Sequence, residues 1–98
     1  MKLLLTRNNQ NTTIRLRRLG YALYRNRQGK ESFVKRIQGT DFPRFHLYIN
    51  TEEDNTLICS IHIDQTAPVY TKGNAHRGDY NSPVLEQEIN RLQKTNLE

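Results

Sequence analysis

Residues 44–64 read Arg44-Phe45-His46-Leu47-Tyr48-Ile49-Asn50-Thr51-Glu52-Glu53-Asp54-Asn55-Thr56-Leu57-Ile58-Cys59-Ser60-Ile61-His62-Ile63-Asp64, and the alternation along them decides the fold. Phe45, Leu47 and Ile49 alternate with Arg44, His46 and Tyr48. Leu57, Cys59, Ile61 and Ile63 alternate with Ile58, Ser60, His62 and Asp64. Strand side chains point to opposite faces with a period of two, so the two runs form a β-hairpin with one oily face. Thr51 to Asn55 is the expected polar loop between them. If Ile49 lies opposite Leu57, then Leu47 meets Cys59 and Phe45 meets Ile61. On the other face Tyr48 then meets Ile58, His46 meets Ser60, and Arg44 meets His62. A slip of one residue would turn the oily set outward and is excluded.

Working upstream, Tyr21-Ala22-Leu23-Tyr24-Arg25 is a strand, and Asn26 to Glu31 is a turn containing Gly29. Ser32 to Ile37 is the returning strand, with Phe33 and Ile37 on one face. Pro43 suits the start of the next strand, where its missing N–H costs nothing. Ile14 to Leu19 is a short helix stopped by Gly20, with Thr12 or Thr13 as N-cap, although the Ile14/Leu16 alternation also fits a strand. Residues 8–13 are a polar tract without apolar period, expected to be irregular or mobile, and residues 1–13 together are a candidate mobile end of the domain. Downstream, residues 65–81 also lack a period. A loop of that length is unusual in a small domain and is either functional or mobile. Tyr70, His76 and Tyr80 favour an ordered one. Ser82 is a helix N-cap and Pro83 the first helical residue. The stripe Leu85, Ile89, Leu92 then lays helix 83–95 on the oily face of the sheet. The expectation is one α+β domain over residues 1–98. It is a four-stranded antiparallel β-meander (21–25, 32–37, 44–50, 56–64) with a short N-terminal helix and a C-terminal helix packed on one face.

A chain of 98 residues with 35% hydrophobic content has a modest core. The single cysteine, Cys59, excludes an intramolecular disulfide and a Cys-based zinc site. The run Leu3-Leu4-Leu5 is far shorter than the roughly 7–15 apolar residues of a signal peptide or the roughly 20 of a membrane helix, so a cytoplasmic location and no membrane partner are expected. The net charge of +5 is divided unevenly. Residues 1–44 hold eleven Lys/Arg against Glu31 and Asp41, giving +9, whereas residues 45–98 sum to −4. Either the basic half meets a polyanion, or the two halves meet each other within a chain or across a dimer.

Four short pieces belong together in a further way: Pro43-Arg44-Phe45-His46, His62-Ile63-Asp64-Gln65, Pro68-Val69-Tyr70 and Ala75-His76-Arg77-Gly78-Asp79-Tyr80. With the Glu-rich helix after them, they resemble small hypothetical proteins of candidate-phyla-radiation bacteria, over about Ile14 to Lys94. The resemblance implies no activity, but it draws attention to His62–Tyr80.

Arg and Lys of residues 15–44 are interleaved with aromatic residues, a pattern suited to neutralising phosphates and stacking on bases. The candidate nucleic-acid-binding residues are Arg17, Arg18, Tyr24, Arg25, Arg27, Arg36, Arg44, His46 and Tyr48. No RNA-recognition, KH or zinc-finger pattern accompanies them. The plainer reading makes the charges a solvated outer face. A metal or general acid–base site is the other possibility, built from His62, Asp64 and His76 together with His46, since neutral imidazole binds transition metals and carboxylate ligates or orients it. No paired-histidine helical motif supports it, and the plainer reading has His46 and His62 as half-exposed strand residues with no bound cofactor. Cys59 lies on the oily face as a small hydrophobe. The sequence therefore favours a non-enzymatic basic protein contacting nucleic acid or another polyanion. A homodimeric interaction module is the runner-up, and a His/Asp metal-binding or hydrolytic site comes third.

Overall fold

In the computed structural model the described residues are 1–6, 11–53, 55–65 and 83–94. They form a five-stranded antiparallel sheet with two helices on one side. The elements are β1 (Lys2–Thr6), α1 (Thr12–Arg18), β2 (Ala22–Arg25), β3 (Glu31–Arg36), β4 (Arg44–Glu53), β5 (Thr56–Asp64) and α2 (Pro83–Lys94). Strand order is β1-β5-β4-β3-β2, so β2 to β5 form the expected meander and β1 is added beside β5.

The count of four strands is thus corrected to five. Leu3 and Leu5 lie opposite Cys59 and Leu57 and are both 2% exposed, whereas Leu4 between them is 54% exposed. The three leucines look like one apolar run in the sequence, which hides an alternation of period two.

The hairpin is also corrected in register. Ile49 pairs with Cys59, Leu47 with Ile61 and Phe45 with Ile63. On the other face Tyr48 pairs with Ser60, His46 with His62 and Arg44 with Asp64. The shift from the expected pairing is two residues, which keeps every side chain on its face but changes every neighbour. Its cause is at the far end of the hairpin. Thr51, Glu52 and Glu53 continue the strand against Ile58, Leu57 and Thr56, and a bulge between Ile49 and Thr51 absorbs the extra residue.

The core lies between the oily sheet face and the helices. Leu47, Cys59 and Ile61 are fully buried at its centre, and Leu16 of α1 and Leu85 and Leu92 of α2 close over it. Asn11, rather than a threonine, caps α1, its side chain accepting from the Ile14 N–H at 3.2 Å. Gly20 ends the segment with φ +101°, and a Cβ there would meet Lys35 Cε at 3.0 Å. Tyr21 falls just before β2 and is buried, its hydroxyl donating to Glu88 Oε2 of α2 at 2.6 Å. Arg91 donates to both Glu88 oxygens at 2.7 and 2.8 Å and to the Leu19 carbonyl at 2.8 Å, joining α2 to the end of α1. Burial raises the Glu88 carboxyl's affinity for a proton, but Arg91 and the Tyr21 hydroxyl outweigh it, and the net shift is downward. The expected N-cap Ser82, the loop over 66–81 and its His76 lie outside the described residues.

Candidate functional site on the open sheet face

Among the described residues, both helices pack on the oily face, and the opposite face of the sheet carries Tyr24, Ser32, Arg44, His46, Tyr48, His62 and Asp64. The observed register assembles them. Period two sends His62 and Asp64 to the same side of β5, and the pairing of His46 with His62 brings a second imidazole alongside.

Asp64 is the hub. Its Oδ2 accepts from His46 Nδ1 at 2.8 Å and from Arg44 Nε at 3.1 Å, and its Oδ1 accepts from His62 Nε2 at 2.9 Å. Burial pushes its carboxyl upward, but the hydrogen bonds from His46 and His62, the charge of His46 and the bond from Arg44 prevail, holding it well below the usual carboxylate range. The other nitrogen of His46, Nε2, lies 2.7 Å from Ser32 Oγ on β3. His46 is 6% exposed, so the expectation of a half-exposed strand histidine holds for His62 and fails for His46. A buried imidazole must have both nitrogens satisfied, and here both are.

Aromatic rings surround this centre. Tyr48 stacks on His46 with centroids 4.4 Å apart and lies 5.5 Å from His62. Tyr24 meets His46 edge-on at 5.8 Å. The Arg44 guanidinium lies over the rings of Phe42 at 4.4 Å and Tyr24 at 5.0 Å. The Tyr48 hydroxyl is raised in pKa by burial and then by the Asp64 charge. Beside them is an open concavity of about 500 Å³, lined by Tyr24, Asn26, Arg27, Arg44, His46 and Tyr48 among others. Lys30 sits with its ammonium 5.9 Å from the Tyr48 ring centroid, and Lys2, opposite Ser60, lies on the same face.

Of the residues singled out in the sequence for nucleic acid, Tyr24, Arg44, His46 and Tyr48 converge here, with Arg27 at the rim. Arg36 is exposed and paired with Asp41 at 2.8 Å, and Arg25 is paired with Glu31. Arg17 and Arg18 belong to α1, on the helical side. Of the metal candidates, His62 and Asp64 converge with His46. Ser32 was not visible as a site residue, because its part depends on the β3–β4 pairing and no spacing within one strand signals it. The order Ser32 Oγ, His46 Nε2, His46 Nδ1, Asp64 Oδ2 matches a hydroxyl–imidazole–carboxylate relay. Ser32 is 3% exposed, however, so its hydroxyl cannot meet a substrate, and the contact holds the ring instead.

No family model matches the chain, and no curated protein or solved structure matches it significantly.

Proposed function

We propose that the open sheet face binds a polyanion, with single-stranded nucleic acid the best-suited ligand. The observation that supports this reading is the contiguous set of partly exposed rings, Tyr24, Tyr48 and His62, packed around the buried His46 on the face opposite the helices and bordered by Lys2, Arg27 and Lys30. Each base stacked on such a ring is worth about 1–3 kcal/mol, and stacking tolerates any sequence. Arg44 contributes less free charge than its position implies, since Asp64 accepts from it; its guanidinium plane is the more useful surface. The three bordering cations set the salt dependence.

The test is fluorescence anisotropy with mixed-sequence single-stranded and duplex oligonucleotides. Three phosphate contacts to a single strand give a log–log salt slope of about −2, so affinity should fall roughly 20-fold between 50 and 200 mM salt. Single strands should bind more tightly than duplexes. No complex at the lower salt, or an affinity indifferent to salt, ends this reading.

A further inference from the structure

We propose that His46, His62 and Asp64 form a binding site for one divalent d-block cation of the zinc class, with Ser32 as its positioning residue. The proposal is independent of nucleic-acid binding and rests on side-chain convergence. One ligand atom from each of His46, His62 and Asp64 lies within 4.8 Å of the other two, and the nitrogens nearest the carboxylate are His46 Nδ1 and His62 Nε2. A tetrahedral ion with metal–ligand distances of about 2.0–2.2 Å holds its ligand atoms about 3.3–3.5 Å apart. The imidazoles contact opposite oxygens of Asp64, His46 Nδ1 at 2.8 Å from Oδ2 and His62 Nε2 at 2.9 Å from Oδ1, so an ion held between the two rings and the carboxylate needs each contact to open by about half an ångström.

In the structure as it stands, ring N–H protons bridge each imidazole to the carboxylate. A metal ion takes the place of both bridging protons, and each proton moves to the other nitrogen of its own ring, so that both imidazoles stay neutral. For His46 this puts its one ring proton on Nε2 and turns the Nδ1 lone pair to the ion. Ser32 permits this switch. Its hydroxyl lies 2.7 Å from Nε2 and can rotate from donor to acceptor, fixing the tautomer that leaves Nδ1 free to ligate. Tyr48, stacked on His46 at an interplanar angle of 22°, restrains the ring. Arg44 bonds Oδ2 and orients the carboxylate so that Oδ1 faces His62. Its positive charge opposes a dication and weakens the binding. Two imidazoles and one carboxylate select Zn²⁺, Co²⁺ or Ni²⁺ over Mg²⁺ and Ca²⁺. Three protein ligands leave a fourth position for water or a ligand oxygen.

The test uses the full chain, stripped with chelator, in calorimetric titrations with Zn²⁺, Co²⁺ and Mg²⁺ and no nucleic acid present. One zinc per chain with micromolar affinity is expected, together with visible Co²⁺ bands of tetrahedral intensity and no heat with Mg²⁺. H62A and D64N should each weaken zinc binding by more than about tenfold, and S32A by about tenfold. The ¹⁵N shifts of His46 should report metal on Nδ1 and a proton on Nε2 in the wild type, with the S32A ring losing that fixed tautomer, a signature that general destabilisation does not produce. Because His62 is half-buried at the rim, H62A keeps the fold, as a melting curve of the metal-free variant checks. Absence of saturable zinc binding, or binding unchanged in both H62A and D64N, overturns the proposal and leaves the oligonucleotide result untouched.

Discussion

At the residue scale the protein depends on two carboxylates, the buried Glu88 and the half-buried Asp64, each held ionised by its neighbours. Asp64 and Glu88 both have folded pKa values below the unfolded value for a carboxyl, about 4. The unfolded chain therefore takes up protons first as pH falls. The stability they contribute is complete above about pH 5 and is lost as pH drops toward the folded values. Urea midpoints measured from pH 6 to pH 3 should fall for the wild type, fall less for D64N or E88Q alone, and stay nearly flat for the double variant. Tyr21→Phe removes a donor to Glu88 but leaves both Arg91 bonds, so it should cost about 1.5 kcal/mol in equilibrium denaturation. Glu88 is marked in the sequence only by its place in the Glu-rich C-terminal helix. Its partner Tyr21 is more than sixty residues away, and no local pattern encodes that distance. His62 and Asp64, two residues apart on one strand, were legible as same-face neighbours because a strand's period alone decides it.

At the scale of elements, alternation fixed which residues face the core, and it failed where alternation was concealed or where two strands had to be aligned. β1 was concealed by Leu4, an exposed leucine between two buried ones. Leu5→Ala should therefore destabilise by about 2–5 kcal/mol, whereas Leu4→Ala should stay within about 0.5 kcal/mol. Equal effects of the two substitutions on thermal melting would remove β1 from the sheet. The two-residue register shift has the larger functional meaning. Hydrophobic pattern forbids odd slips but is indifferent to even ones. The choice between Ser60 and His62 as the partner of His46 was made by the bulge after Ile49, which the polar run Thr51-Glu52-Glu53 did not disclose.

At the scale of the whole molecule, the sheet separates two chemistries, an oily side under two helices and a polar aromatic side away from them. The basic and acidic halves of the chain meet within one molecule where Arg44 reaches Asp64 at 3.1 Å. Charge reversal distinguishes the two sides. R27E with K30E should weaken oligonucleotide binding by about tenfold or more, since both border the ring cluster. R17E with R18E, on α1, should change it no more than about twofold. Sedimentation of the free chain at several concentrations addresses the homodimer that the divided charge also permits.

Cys59 sits at 0% exposure, flanked by β1 on one side and β4 on the other, and burial pushes its thiol up to about 11. As the chain's sole sulfhydryl, it is a built-in clock. A thiol-reactive dye can attach only during moments when neighbouring strands part, so the labelling rate counts those excursions. Loosening β1 with Leu5→Ala should make the clock run faster, and a ligand that grips the sheet should slow it.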